Sequence, residues 1–313
     1  MTKCMATNTA NPINRRTFLG GVAGMGMAGM SVLKLPALLA AEAAPARKPN
    51  WQIGCYTRPF DQFDYPVALD AIAEAGFRYV GIMTSNIAGW VMIKSSTPVE
   101  EVRNMHRAAR KRGLEVLSIY GEFPVSSSLE ENCRGLKQLI DDAAICECPH
   151  LMLGGIGDER YQIYYQTVAE CCDHAAAKGV NLSIKPHGGR NATGPQCRKA
   201  IELVGRKNFG LWYDPGNIFF YSDGQLDPVA DAATVDGLVM GMSVKDYRPP
   251  KDVLVNIGEG RVDFPKVFDR LKQGGFTGGP LLVECLARGA LADVKAAARK
   301  ARLFLEQLTG RKS

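Results

Sequence analysis

From residue 51 onward, short apolar runs alternate with longer segments whose apolar residues recur every three to four positions. Residues 51–56 (WQIGCY) predict a strand, and 65–75 predict a helix stopped by Gly76. A second strand follows at 78–83; its helix spans 97–112, with Thr97 as N-cap and Pro98 at the first helical position. The third unit pairs 115–120 with a helix at 129–147, and the fourth pairs 150–153 with a helix at 159–178. The fifth strand is N181-L-S-I-K-P-H-G-G189, followed by a helix at 195–204. The sixth pairs 209–213 with a short helix at 228–233, and the seventh pairs 237–246 with a helix at 264–273. The eighth, PLLVE at 280–284, precedes a last helix at 291–308.

Eight strand-then-helix units in about 260 residues match a (β/α)8 TIM barrel, whose usual size is about 250 residues. Strands covered on both faces should read as continuous apolar runs, and most of these do. The competing doubly wound sheet calls for a G-x-G-x-x-G turn after the first strand, and the sequence has none there. An α/β barrel in a single domain, 47–313, is therefore expected.

Residues 1–46 have a different composition. N14-R-R-T-F-L-G20 precedes a Gly-, Ala- and Met-rich apolar stretch and then A43-A-P-A46. Paired arginines, a mildly apolar segment and small residues at a cleavage region resemble a bacterial twin-arginine export signal. Periplasmic or secreted localisation is expected, with no stable membrane anchor, because Lys34 and many glycines interrupt the apolar run. The formal charge is +6, and residues 1–46, with four basic residues against Glu42, hold half of it. The remainder has no basic stripe, which argues against nucleic acid as a partner; oligomerisation is left open.

Beyond Cys4, eight cysteines remain, none in a C-x-x-C pair or at zinc spacing. Buried thiols are expected, with a disulfide open in an oxidising compartment.

Barrel chemistry sits past the C-terminal ends of the strands. Those ends offer Glu122 after the third strand, Lys185 and His187 after the fifth, and Asp214 and Asn217 after the sixth. Lys245 and Asp246 follow the seventh, and Glu284 closes the eighth. Any one of these has a structural reading as a helix cap or loop tie. Charged or amide groups from five strand ends make the set more persuasive than any member.

W212-Y-D-P-G-N217, S243-V-K-D246, G258-E-G-R-V-D263 and L282-V-E284 resemble the xylose-isomerase-like barrels, a superfamily of sugar and sugar phosphate isomerases and epimerases. The resemblance covers essentially the whole of 47–313. It implies a divalent metal (Mn2+, Mg2+ or Zn2+) held by a Glu, an Asp, a His and a Glu from strands five to eight, with carboxylates shuttling a proton beside a carbonyl. Asp214 and Glu284 match two of those ligands. Lys185 stands where the E-x-H motif has its Glu, although His187 keeps the His; Ser243 stands where H-x-K-D has its His, and Asn217 where many relatives have a His.

A charge argument bears on the metal. Unit charges about 4 Å apart interact by roughly 4 kcal/mol at an effective dielectric near 20, and a divalent ion doubles this. A protonated Lys185 and a metal in the family's place are thus hard to combine. The simplest expectation is no cofactor, with the Lys185 ammonium in the cation's place between Asp214 and Glu284, stabilising an enolate-like oxygen.

Proton transfer beside a carbonyl on a small-molecule carbohydrate is then the leading reading, with Glu122, Lys185, His187 and Glu284 as the catalytic set. Glu284 and Glu122 are the candidate carboxylates, and His187 is either a proton carrier or a donor to a sugar hydroxyl. Asn217, Lys245 and Asp246 are expected to bind substrate, with a structural Lys–Asp pair as the alternative for the last two. Asp214 and Glu284 are the ligands if a metal binds. Three other readings stand beside this one: a lyase or hydratase on an oxidised (keto) glycoside, a Schiff-base lyase through Lys185, and a non-catalytic carbohydrate-binding barrel. Trp212 and Tyr213 are expected to pack within the barrel.

Overall fold

The computed structural model describes residues 50–86 and 90–311. The twin-arginine segment lies outside them. The unit that carries the barrel runs Lys48–Ser313.

Among the described residues, nine parallel strands form the sheet: β1 (Trp51–Tyr56), β2 (Tyr79–Ile82), β3 (Ile93–Lys94), β4 (Glu115–Glu122), β5 (His150–Leu153), β6 (Asn181–Ile184), β7 (Phe209–Tyr213), β8 (Val239–Val244) and β9 (Gly279–Val283). Eight of them close a ring: β2 pairs with β4, and β9 pairs back with β1 from Trp51↔Gly279 to Cys55↔Val283. The two-residue β3 is appended to the end of β4 at Lys94↔Glu122. The expected TIM barrel is what forms, and β3 shifts the strand numbering by one from the third unit onward.

The surrounding helices are α1 (Tyr65–Glu74), α2 (Val99–Lys111), α3 (Leu129–Ile145), α4 (Tyr161–Ala177), α5 (Gly194–Val204), α6 (Pro215–Tyr221), α7 (Pro228–Ala232), α8 (Phe264–Gln273) and α9 (Leu291–Thr309). Local chemistry sets several of their ends. Ser128 caps α3 by accepting from Glu131 N, and Thr193 with Gln196 forms a capping box on α5, which stops at Gly205 in the left-handed region (φ +63°). Thr97 does not cap α2. Its hydroxyl accepts from Lys94 N instead, closing a turn after β3, and Pro98 stands at the cap position. Helix α6, absent from the sequence reading, is nucleated by Asp214, whose side chain accepts from Asn217 N.

Two apolar layers result from the period-two alternation of the strands. Outward residues such as Ile184, Leu211, Met242 and Val283 pack under the helices, whereas Tyr56, Tyr79, Met152, Trp212 and Leu282 fill the barrel interior. Glycines admit the large rings. A Cβ on Gly241 would lie 2.5 Å from the Trp212 ring, and one on Gly81 would lie 2.1 Å from Tyr56. The interior is therefore packed, as expected for Trp212; Tyr213 packs in the outer layer, its hydroxyl donating to Pro228 O at 2.6 Å. All eight described cysteines are free thiols, seven of them buried. Among the described residues, no helix is long and apolar enough to cross a membrane.

Candidate active site

The same alternation builds the site. Ser183 and Lys185, Trp212 and Asp214, Ser243 and Lys245, and Leu282 and Glu284 are each two residues apart, so each pair faces the same side of its strand. The lower member lies in the barrel interior and the upper one at its C-terminal mouth. Four charged tips meet there, all buried: Lys185, Asp214, Lys245 and Glu284.

Lys185 Nζ lies 2.6 Å from Glu284 Oε1 and 3.3 Å from Asp214 Oδ2. Lys245 Nζ lies 2.6 Å from the same Glu284 Oε1, 2.9 Å from Asp214 Oδ2 and 3.0 Å from Asn217 Oδ1. Ser243 Oγ donates to the other Glu284 oxygen at 2.5 Å. Two ammonium groups and two carboxylates thus alternate around a closed ring of contacts. Arg58, just past β1, adds a further positive charge that acts on Glu284. It donates to Cys285 Sγ at 3.2 Å and lies 4.8 Å from the Trp90 ring centroid.

This ring perturbs its members unequally. Burial is the largest influence on Lys185 and lowers its pKa; Glu284 opposes that and the like charge of Lys245 adds to it, leaving the net shift downward. Burial acts the same way on Lys245, but Asp214 and Glu284 outweigh it and raise its pKa. Burial works to raise Glu284, yet Lys185, Lys245 and Arg58 hold it well below the usual carboxylate range. Two like charges sharing one carboxylate oxygen cannot both be fully satisfied, and Lys185 is the weaker ammonium of the two.

A cavity of about 230 Å3 opens above the ring, and Lys185, His187, Asn217, Lys245, Glu284 and Glu122 all line it. Asp214 lies beneath, fully buried. Burial, then Lys185, Lys245 and Arg58, push the His187 pKa down to about 3. His187 is nonetheless an exposed residue by surface area, which tempers the burial effect, and the direction leaves a neutral imidazole at neutral pH. Glu122, at the end of β4, is exposed and has no ion pair among the described residues.

Two residues expected to bind substrate make contacts within the protein. Asp246 is fully buried and outside the cavity lining. Its oxygens accept from the backbone N–H groups of Tyr247, Gly258, Gly260 and Val262 at 2.8–3.1 Å, so it pins the loop after β8. Alternation turns it away from the mouth, to which Lys245 points. Asn217 lines the cavity, and its amide donates to Pro186 O at 2.6 Å and accepts from Lys245.

Asp214 and Glu284 also fit a metal poorly. Among the described residues, no group of three His, Cys, Asp or Glu side chains converges to hold an ion. The inward oxygens of both carboxylates are engaged by ammonium groups, and a divalent ion there would meet two positive charges. Lys185 and Ser243 stand where the sequence resemblance would place a Glu and a His as further ligands.

The sequence reading missed Arg58, Trp90, Tyr120 and Tyr221, all of which line the cavity. Applying the strand-end rule to β1 would have found Arg58, two residues past Tyr56. Tyr120 shares the inward face of β4 with Glu122, two residues on. No comparable signal marks Trp90 or Tyr221, which the fold brings in from a loop and from α6.

Comparison with known proteins agrees with this architecture. Among solved structures, a D-psicose 3-epimerase crystallised in the presence of D-fructose superposes with a TM-score of 0.64 at 13% identity, covering 83% of this chain and 99% of that one. An L-ribulose 3-epimerase gives a TM-score of 0.64 at 16% identity, covering 83% and 95%. A xylose isomerase-like TIM barrel protein from Mycobacterium smegmatis, in complex with magnesium, gives 0.66 at 18% identity, covering 83% and 96%. Curated proteins provide no match. The family described as xylose isomerase-like TIM barrel matches residues 69–308, and the chain belongs to that family.

Proposed function

We propose that this barrel is an isomerase- or epimerase-type enzyme that moves a proton beside the carbonyl of a sugar or sugar derivative, with the Lys245 ammonium in the place of a metal. The observation that carries the reading is the convergence of Lys185 and Lys245 on one Glu284 oxygen, at 2.6 Å each, on the floor of the cavity. The sugar epimerases with the same fold support the substrate class.

The roles follow from the environments. Lys245, held as an ammonium, polarises the substrate carbonyl and stabilises the enolate oxygen as charge develops. Lys185, the amine that loses its proton more readily, removes the proton from the adjacent carbon. The ammonium so formed rests between Asp214 and Glu284. Returning the proton to the neighbouring carbon, while the adjacent hydroxyl gives its proton to the former carbonyl oxygen, completes an isomerisation. Delivery to the opposite face of the original carbon of a proton that the exposed Glu122 takes up from solvent, with Lys185 then releasing its own to solvent, completes an epimerisation. Glu284 is a poor base here, because it is held as an anion by three donors; its role is to orient the lysines. His187, neutral, is placed to hydrogen-bond a sugar hydroxyl.

Incubation with a panel of aldoses and ketoses in D2O tests this. Deuterium is expected to enter beside the carbonyl after exhaustive chelation, and Lys185→Met is expected to slow exchange at least about 100-fold, in line with loss of a general base. Loss of exchange on chelation, restored by Mn2+, would refute the metal-free reading. The lowered pKa of Lys185 also favours a second reading, Schiff-base chemistry at that amine. Borohydride trapping of a sugar on Lys185 would select it.

A further inference from the structure

The inner cavity is small. At about 230 Å3 it falls below the range of about 300–1,000 Å3 usual for ligand sites. A second cavity of about 410 Å3 adjoins it, and the two share Tyr120 and Glu122 as lining. The outer cavity is bounded by Lys94, Ser95 and Ser96 on one side and by Phe123 and Tyr164 on another; those two rings lie parallel, 2° apart, with centroids 5.7 Å apart.

Three features of this cavity suit a polyhydroxylated ring. Lys94 supplies a cation with no ion pair among the described residues, and Glu122 supplies an equally unpaired anion. The two together leave the cavity near neutral. Ser95 and Ser96 add hydroxyls that both donate and accept, as sugar hydroxyls do. Tyr120 adds another at the junction of the two cavities. Its oxygen lies over Gly154, 2.7 Å from where a Cβ would stand, so glycine is needed there to admit it.

We propose that the substrate is a disaccharide or glycoside whose reacting ring occupies the inner cavity and whose second unit occupies the outer one, with the linkage passing the junction formed by Tyr120 and Glu122. This rests on the proposed function and narrows its substrate class. It also constrains the linkage. The reacting ring must keep a carbonyl, so it is either a reducing-end unit substituted at a non-anomeric hydroxyl or a ring oxidised to a ketone.

Calorimetric titration of the purified full-length protein tests the proposal. Glucose, xylose and mannose would be compared with reducing disaccharides carrying each as the reducing-end unit, and with the same sugars oxidised to a ketone at one ring position. For at least one ring, the disaccharide is expected to bind ten-fold or more tighter than its monosaccharide. Ser96→Trp, which fills the outer cavity, is expected to bring that affinity ratio close to one. Equal affinities of mono- and disaccharides, or a ratio unmoved by Ser96→Trp, would overturn the proposal and leave the proton-transfer reading standing. Absence of both binding and deuterium exchange across the whole panel would overturn the two together.

Discussion

Lys185 and Lys245 end in the same ammonium and touch the same carboxylate oxygen, yet burial and mutual repulsion lower the pKa of one while Asp214 and Glu284 raise that of the other. In the proposed mechanism that difference separates base from electrophile, and it has a pH signature. If the neutral Lys185 amine is the working form, the exchange rate climbs with pH and reaches a plateau, with a midpoint below the lysine reference of about 10.4. Lys245→Met removes the like charge, so the residual activity is expected to show its rising limb shifted to higher pH. A pH–rate profile of both proteins checks this; a limb that stays in place would exclude the repulsion argument. The residue types at the strand ends were legible in the sequence. Their protonation was not, because it depends on which tips lie within about 3 Å of one another, and the contributing strands are separated by up to 99 residues.

At the level of the elements, neighbouring residues on one strand take opposite tasks. Lys245 faces the mouth, and Asp246 faces the loop after β8, where it satisfies four backbone N–H groups. Asp246→Ala leaves those donors without their acceptor. It is expected to destabilise the fold by at least about 2 kcal/mol, read from the urea midpoint. The alternation of Ser243 with Lys245 carried the signal for this division, since residues with Met242 and Val244 face outward. Packing makes a parallel demand at Gly241, where Trp212 needs the space of the missing side chain. Gly241→Ala is expected to lower stability by about 1–3 kcal/mol through overpacking, checked by thermal unfolding. Helix α6 escaped the sequence reading because seven residues are too few to show a helical period. It depends on the Asp214 cap and on burial of Ile218 and Phe219.

For the whole molecule, barrel closure brings strand ends that are remote in sequence to one mouth, and the leader is expected to direct where that mouth works. Replacing Arg15 and Arg16 together by Lys is expected to abolish export, leaving full-length protein in the cytoplasmic fraction. Export unaffected by that change would remove the twin-arginine reading. The sequence by itself determined the barrel, since strand and helix periods and the eight-fold repeat are local properties of the chain. It also named the strand ends that carry charge and the two at which the family's ligands are replaced. Only the tertiary structure decided that Lys185 and Lys245 converge on Glu284, that Asp246 pins the loop after β8, and that Arg58 and a second cavity lie at the mouth. Those facts depend on distances between segments far apart in the chain, and interaction strength between charges follows distance and burial, which no single stretch of sequence contains.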